Sequence, residues 1–155
     1  MYNRGIKGVE CLDRMGVKTV AIVAERGKAT DDADVALLKE AHAQAMRVPP
    51  YEAADALYRL LTDKIAAYMV GVKDVRTLTR WVSGEVSEIR VEHETRLRAA
   101  YEIATLLLRF DAPETVRAWF IGMNPELDDV APIEVIRQDR PQDALGAARA
   151  FIANG

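Results

Sequence analysis

A chain of 155 residues, half of them hydrophobic and 29% charged, can bury a core of its own as one compact domain or two small ones. Its net charge of -3 excludes holding nucleic acid by bulk electrostatics, and the acid lies late: residues 1 to 45 carry 7 basic and 7 acidic side chains, residues 46 to 110 carry 10 and 9, and residues 111 to 155 carry 4 and 8. Cys11 is the only cysteine, which excludes an internal disulfide and points to the cytoplasm. No export signal is expected, since the first residues show no continuous apolar region, and the longest apolar cluster, Val20 to Ala24, is far too short to span a bilayer.

The pattern predicts a mainly α protein, a small helical bundle with one short β segment near its start. That segment is Val17 to Val23, whose β-branched bias suggests a strand between Gly16 and Gly27. A hairpin with Ile6 to Leu12, pairing across a dimer, or a loose end all remain open for it. Gly5, Gly8 and Gly16 lack the spacing of a phosphate-binding fingerprint. A helix is expected over 31–46, begun by Thr30, Asp31 and Asp32, with an apolar stripe of Val35, Leu38, His42, Ala45 and Met46. Pro49 and Pro50 end it and mark a boundary, so residues 1–48 read as an accessory segment. The next helix, Tyr51 to Leu61, places Ala54, Leu57, Tyr58 and Leu61 on one side, as a support behind the helical pair after it.

Leu61 to Glu85 reads as two short helices about one glycine, a helix-turn-helix inside a DNA-binding segment over 49–98. Thr62 and Asp63 are capping residues, Ala67 is small enough to admit a crossing helix, and Gly71 supplies a left-handed turn. Asp74 is the expected N-cap of the second helix. Val75, Leu78 and Trp81 or Val82 face inward, which leaves Lys73, Arg76, Thr77, Thr79, Arg80 and Ser83 as the DNA-facing set. Arginine suits guanine edges and phosphate, and threonine suits phosphate and the thymine methyl. The spacing from Gly71 to Arg76 is about one residue longer than in the tightest such turns, so the base-reading register stays open. An ordinary helical hairpin with a solvated arginine face is the alternative. Gly84 closes the second helix.

After a polar connection, a helix over 93–110 is expected to bury Leu97, Tyr101, Ala104 and Leu107 or Leu108. Its Arg96 and Arg98, with Arg90 before it, lie within reach of phosphate, but Glu88, Glu92 and Glu94 among them favour solvated ion pairs. His42 and His93 read as surface or core-edge residues, and with two histidines and one cysteine a metal site would need carboxylates that the pattern does not assign. Asp111 to Gly122 reads as cap, helix and terminal glycine, anchored by Val116, Trp119 and Phe120, with Trp119 in the core. Met123 to Pro132 is a structured connection. Ile133, Val135 and Ile136 then make a short helix, and Pro141 opens a last one with Leu145, Ala148, Phe151 and Ile152 inward.

Trp119, Asn124, Leu127 and Pro132 in this tail resemble the Trp and the following Asn-x-x-Leu-x-Gly-x-x-Pro of the Xre/MbcA/ParS-like antitoxins. Pro132 to Ile136 looks like their Pro-Leu-Glu-Leu-Leu, and Ala148 to Gly155 like their closing helix. The second half of the helix-turn-helix, Arg80-Trp81-Val82-Ser83-Gly84, resembles the Arg-Trp-x-x-Gly end of Xre-like DNA-binding helices. The chain departs at Asp129, where the family has glycine, and at Ile133, where it has leucine, and residues 1–45 lie outside the likeness. The resemblance implies a toxin-binding domain over 99–155 and an antitoxin of a type II pair. It would occlude the active site of a RES-domain, NAD-degrading toxin and repress its own operon as a homodimer or a hetero-oligomer with the toxin. Asp143, Arg149, Phe151, Ile152, Asn154 and Gly155 are the residues expected to meet the toxin.

Two other classes are open. A plain regulator whose last helices only dimerise would bury Leu145, Phe151 and Ile152 in a self-interface. An enzyme is disfavoured: no nucleophile with its base, no paired carboxylates and no nucleotide fingerprint can be read in the chain, and no cofactor is expected.

Overall fold

Among the described residues, prolines open four of the α-helices, at the position where a missing amide hydrogen costs nothing. In the computed structural model, which describes residues 31–86 and 88–154, the order is α1 (Asp31–Arg47), α2 (Pro50–Leu61), α3 (Asp63–Val70), α4 (Val75–Val82), α5 (Val91–Leu107), α6 (Pro113–Ile121), a 3-10 turn (Pro125–Leu127), α7 (Pro132–Arg137) and α8 (Pro141–Asn154). This is the mainly α bundle that the pattern predicts. No strand occurs among the described residues, and the segment expected at Val17 to Val23 lies outside them.

Helix α5 is the hub. It packs against α1, α2, α3, α7 and α8, while α2 also supports α3, α4 and α6. One hydrophobic cluster runs from Ala41 and Ala45 of α1 through Leu57, Met69, Leu78, Leu97 and Ile103 to Phe120, Ile136 and Ala148. The boundary expected between residues 98 and 99 falls within α5.

Three helix ends are finished by side chains from far along the chain. The last carbonyls of a helix lack intrahelical donors and carry the negative end of its dipole, so a cation there satisfies both. Arg98 Nη1 donates to Ala45 O at 2.7 Å and to Val48 O at 3.2 Å, closing α1. Arg117 Nε donates to Leu60 O at 2.6 Å, closing α2. Arg137 Nη1 donates to Tyr68 O at 2.6 Å and His93 Nδ1 to Val70 O at 2.8 Å, closing α3.

Several local expectations are corrected. Val35 and Met46 are 45% and 49% exposed, because the buried stripe of α1 runs through Ala41 and Ala45 with Leu38 and Val48 at its edges. Tyr58 is at the surface, since Ala53, Ala54, Leu57, Leu60 and Leu61 fill the inner face of α2. Thr62 makes no side-chain cap: it is the single-residue joint between α2 and α3, at φ 85° and ψ 162°, and its amide is spent on Tyr58 O at 3.0 Å. Gly122 ends α6 in an extended conformation, and Ala112 rather than Asp111 stands at the N-cap of α6. His42 does not join the apolar stripe: its side chain is exposed at the helix surface, where Nδ1 donates to the buried Glu102 at 3.0 Å.

Candidate functional site

The helical hairpin α3–α4 has the turn and the second-helix anchors its sequence predicts, though not the Thr62 cap. Ala67 is buried at the crossing, and Gly71 ends α3 at φ 85°. Its amide and that of Val72 both donate to Ala67 O at 3.1 Å, which closes the end of the helix in a left-handed turn. Asp74 caps α4 by accepting from the Arg76 amide at 2.9 Å, and Leu78 and Trp81 are buried beneath it. At the far end, Gly84 turns left-handed at φ 72°. On the outer side, Lys73, Arg76, Thr79, Arg80 and Ser83 are exposed and Thr77 is half-buried. Some of this polarity is used locally. The Thr79 hydroxyl donates to Val75 O at 3.2 Å, the Ser83 hydroxyl donates to Arg80 O at 3.1 Å, and Arg80 Nε stands 3.6 Å from Glu85 in a loose exposed pair.

The tail is arranged differently. Asn124 accepts from the Glu126 amide at 3.0 Å, Leu127 and Pro132 are buried, and Asp128 and Asp129 both adopt left-handed conformations at φ 57° and 60°. Asp129 thus keeps the turn that a glycine would make without strain. Trp119 is 8% exposed and lies edge-on to Phe120 at 5.2 Å and tilted against Phe151 at 6.4 Å, its Nε1 donor without a partner. Of the residues expected to meet a toxin, Asp143, Arg149 and Asn154 are exposed on α8, and Asp143 accepts from Arg140 Nε at 2.7 Å. Phe151 and Ile152 are half-buried against the chain's own core, as their inward reading predicts, and Gly155 lies outside the described residues.

Between these two regions lies a polar joint that local sequence does not announce. Tyr68 of α3 donates its hydroxyl hydrogen to Glu134 of α7, which also accepts from Gln138 Nε2 at 2.9 Å. These bonds, the tyrosine's first, hold the Glu134 carboxyl below its ordinary range and lift the phenol above its own. The Arg137 guanidinium covers the Tyr68 ring at 4.3 Å. Arg96 of α5 grips Asp139 with two nitrogens, Nε to Oδ1 at 2.7 Å and Nη2 to Oδ2 at 2.8 Å, and sends Nη1 to Val70 O at 3.4 Å. The guanidinium holds the Asp139 carboxyl below its usual range. The expectation of solvated ion pairs fails for two arginines: the side chains of Arg96 and Arg98 are only 14% and 19% exposed, because each bridges helices rather than neighbours on one helix alone. The one signal in the sequence is the set Glu134, Arg137 and Gln138, whose three- and four-residue spacing aligns polar groups along one side of a short helix.

Among the described residues, no group of acidic, histidine and cysteine side chains is arranged to hold a metal ion, and no helix is long and apolar enough to cross a membrane.

Comparison with known proteins adds one relationship. No family model matches the chain, and no solved structure matches it. The chain is 31% identical over 102 residues to a protein of Mycobacterium tuberculosis described as the probable mycobacterial cidal antitoxin Rv3188, an alignment that covers 65% of this chain and 85% of that protein.

Proposed function

Because this chain belongs to the mycobacterial cidal antitoxin family, we propose that it is the antitoxin of a type II pair, which neutralises a RES-domain, NAD-degrading toxin and represses its own operon through α3 and α4. The kinship carries the antitoxin role. The DNA-binding part is supported by α4, where a buried Leu78 and Trp81 leave Arg76 and Arg80 exposed on a rigid, capped helix flanked by Lys73 and Ser83. Such a helix fits the width of a major groove, with arginines placed for guanine edges or phosphates.

The toxin-binding part is supported by α8 in a specific form. Its inner face, Ala144, Leu145, Ala147 and Ala148, belongs to the chain's own core, and Phe151 and Ile152 lean on that core. A toxin therefore meets the helix as a folded ridge bearing Asp143, Arg149 and Asn154, and active-site occlusion is by a docked helix end rather than an unwound plug. The regulator that only dimerises gains less from the same geometry, since Leu145 is 8% exposed within a single chain and offers little to a self-interface.

The test is co-purification of the tagged chain with the product of its neighbouring gene. Stoichiometric recovery of a RES-type protein, with NAD consumption suppressed in the complex and restored by Arg149→Glu, is the expected result. Recovery of the chain alone as a dimer that shifts promoter DNA would instead establish the plain regulator.

A further inference from the structure

The turn between α3 and α4 sets where α4 stands, and a side chain held by the tail covers it. The Arg96 guanidinium lies directly over Gly71, so close that a Cβ there would collide with it. Its Nη1 reaches the Val70 carbonyl, which also accepts from His93 at 2.8 Å. The His93 ring in turn stands 5.9 Å from Trp81, the main anchor of α4. A long arginine has many rotamers, and the shortest of its bonds favour this one: the two-pronged grip of Asp139, on the link between α7 and α8. Asp139 is itself fixed. It is left-handed at φ 59°, its amide donates to Ile136 O at 3.1 Å, and the Arg140 amide donates to Val135 O at 3.1 Å.

We propose that Arg96 and Asp139 are positioning residues for DNA reading: the tail carboxylate orients the guanidinium that seals the Gly71 turn, and so fixes the register of α4 in the groove. This rests on the assignment of α4 to DNA. Neither residue touches the nucleic acid. Phosphate contacts tolerate small displacements of a helix, whereas bidentate contacts to base edges do not, so loosening the turn erodes specific binding and spares non-specific binding. The hairpin and the tail are then one reading unit, and the tail sets the accuracy of the hairpin.

The experiment uses the full chain and two fluorescein-labelled duplexes, one from the stretch immediately upstream of its own gene and one scrambled. Arg96→Lys keeps the charge but loses the fork, and Asp139→Asn keeps the shape but loses the charge. Each is expected to weaken upstream-duplex binding about tenfold, the size of a lost coupling between contacting residues, while scrambled-duplex binding stays within about twofold. Melting temperatures are measured alongside, with binding read well below them. Unchanged upstream affinity in both variants overturns the proposal. Equal losses on the two duplexes also overturn it, since that marks a pair that merely holds the fold. A wild-type chain that does not prefer the upstream duplex would remove the DNA assignment itself, and the positioning role with it.

Discussion

Helices α4 and α8 are both amphipathic and both end a structural unit, yet they divide their surface differently. Helix α4 is held from beneath by two large anchors, Leu78 and Trp81, so eight residues suffice to fix it and its outer side stays polar and cationic. Helix α8 is held by four small or medium side chains, Ala144, Leu145, Ala147 and Ala148, and needs fourteen residues and a close approach to α5. Its largest residue, Phe151, is partly spent on Trp119. A few large anchors free a short helix to present chemistry, and many small ones make a long helix part of the scaffold. A partner of α8 therefore meets the surface of the fold, whereas a partner of α4 meets an appendage braced against it.

The largest effect is expected at the junction of that scaffold. Trp119→Ala should cost about 3 to 5 kcal/mol, as for other buried aromatics. The core runs unbroken from α1 to α8, so thermal melting followed at α4 and at α8 should show one common transition at lower temperature. Two separate transitions, with α8 lost first, would mean that the scaffold is divisible. Trp119→Phe is the sharper probe. It keeps an aromatic ring and removes the unpartnered Nε1 donor, and it should cost far less than the alanine. Deleting α8 outright would strip buried residues from the core, so surface substitutions such as Arg149→Glu report on partner binding more cleanly.

Next comes the turn. Gly71→Ala places a Cβ at φ 85° and against Arg96, and is expected to cost about 1 to 3 kcal/mol of stability. Urea denaturation measures this, and a neutral result would show that the turn relaxes freely. On the outer side of α4 the comparison predicts the opposite pattern. Arg76→Ala and Arg80→Ala should leave stability within about 0.5 kcal/mol. Each should cost about 1 to 3 kcal/mol of DNA affinity if it reads a base, or lower the salt slope by about one if it holds a phosphate. Titrations at several salt concentrations separate the two, and a loss of folding in either variant would place its arginine in the scaffold.

How much of the molecule is legible in its sequence depends on the range of the interactions. Gly71, Asp74, Ala67 and the apolar spacing of α4 act within a few residues, so their roles can be read directly. The same holds for the prolines that open α2, α7 and α8 and for the burial of Trp119. Arg96, Arg98 and Arg117 escape such a reading, because each satisfies a helix end or a carboxylate more than forty residues away, and a charged neighbour at helical spacing looks like a complete explanation. Val35 and Met46 mislead for a related reason: a helical stripe is buried only as far as another helix covers it, and coverage is a tertiary fact. Of the candidate site, the outward residues of α4 follow from periodicity alone, whereas the share of Phe151 and Ile152 spent on their own core depends on where Trp119 sits.

The smallest expected effect concerns the turn at Asp129, where the antitoxins that the tail resembles carry glycine. Asp129 is left-handed at φ 60°, with its amide donating to Asn124 O at 3.0 Å. A left-handed residue with a Cβ carries about 1 to 2 kcal/mol of strain, less for aspartate, whose short side chain tolerates the region. Glycine removes that strain but adds about 0.5 to 1 kcal/mol of unfolded-state entropy. Asp129→Gly should therefore gain only about 0.5 kcal/mol, whereas Asp129→Ala, which keeps the Cβ and loses aspartate's tolerance, should lose about 1 kcal/mol. Paired denaturation curves resolve a difference of that size. The order of the two variants matters more than either value, because alanine equal to or better than glycine would mean that residue 129 is not held left-handed.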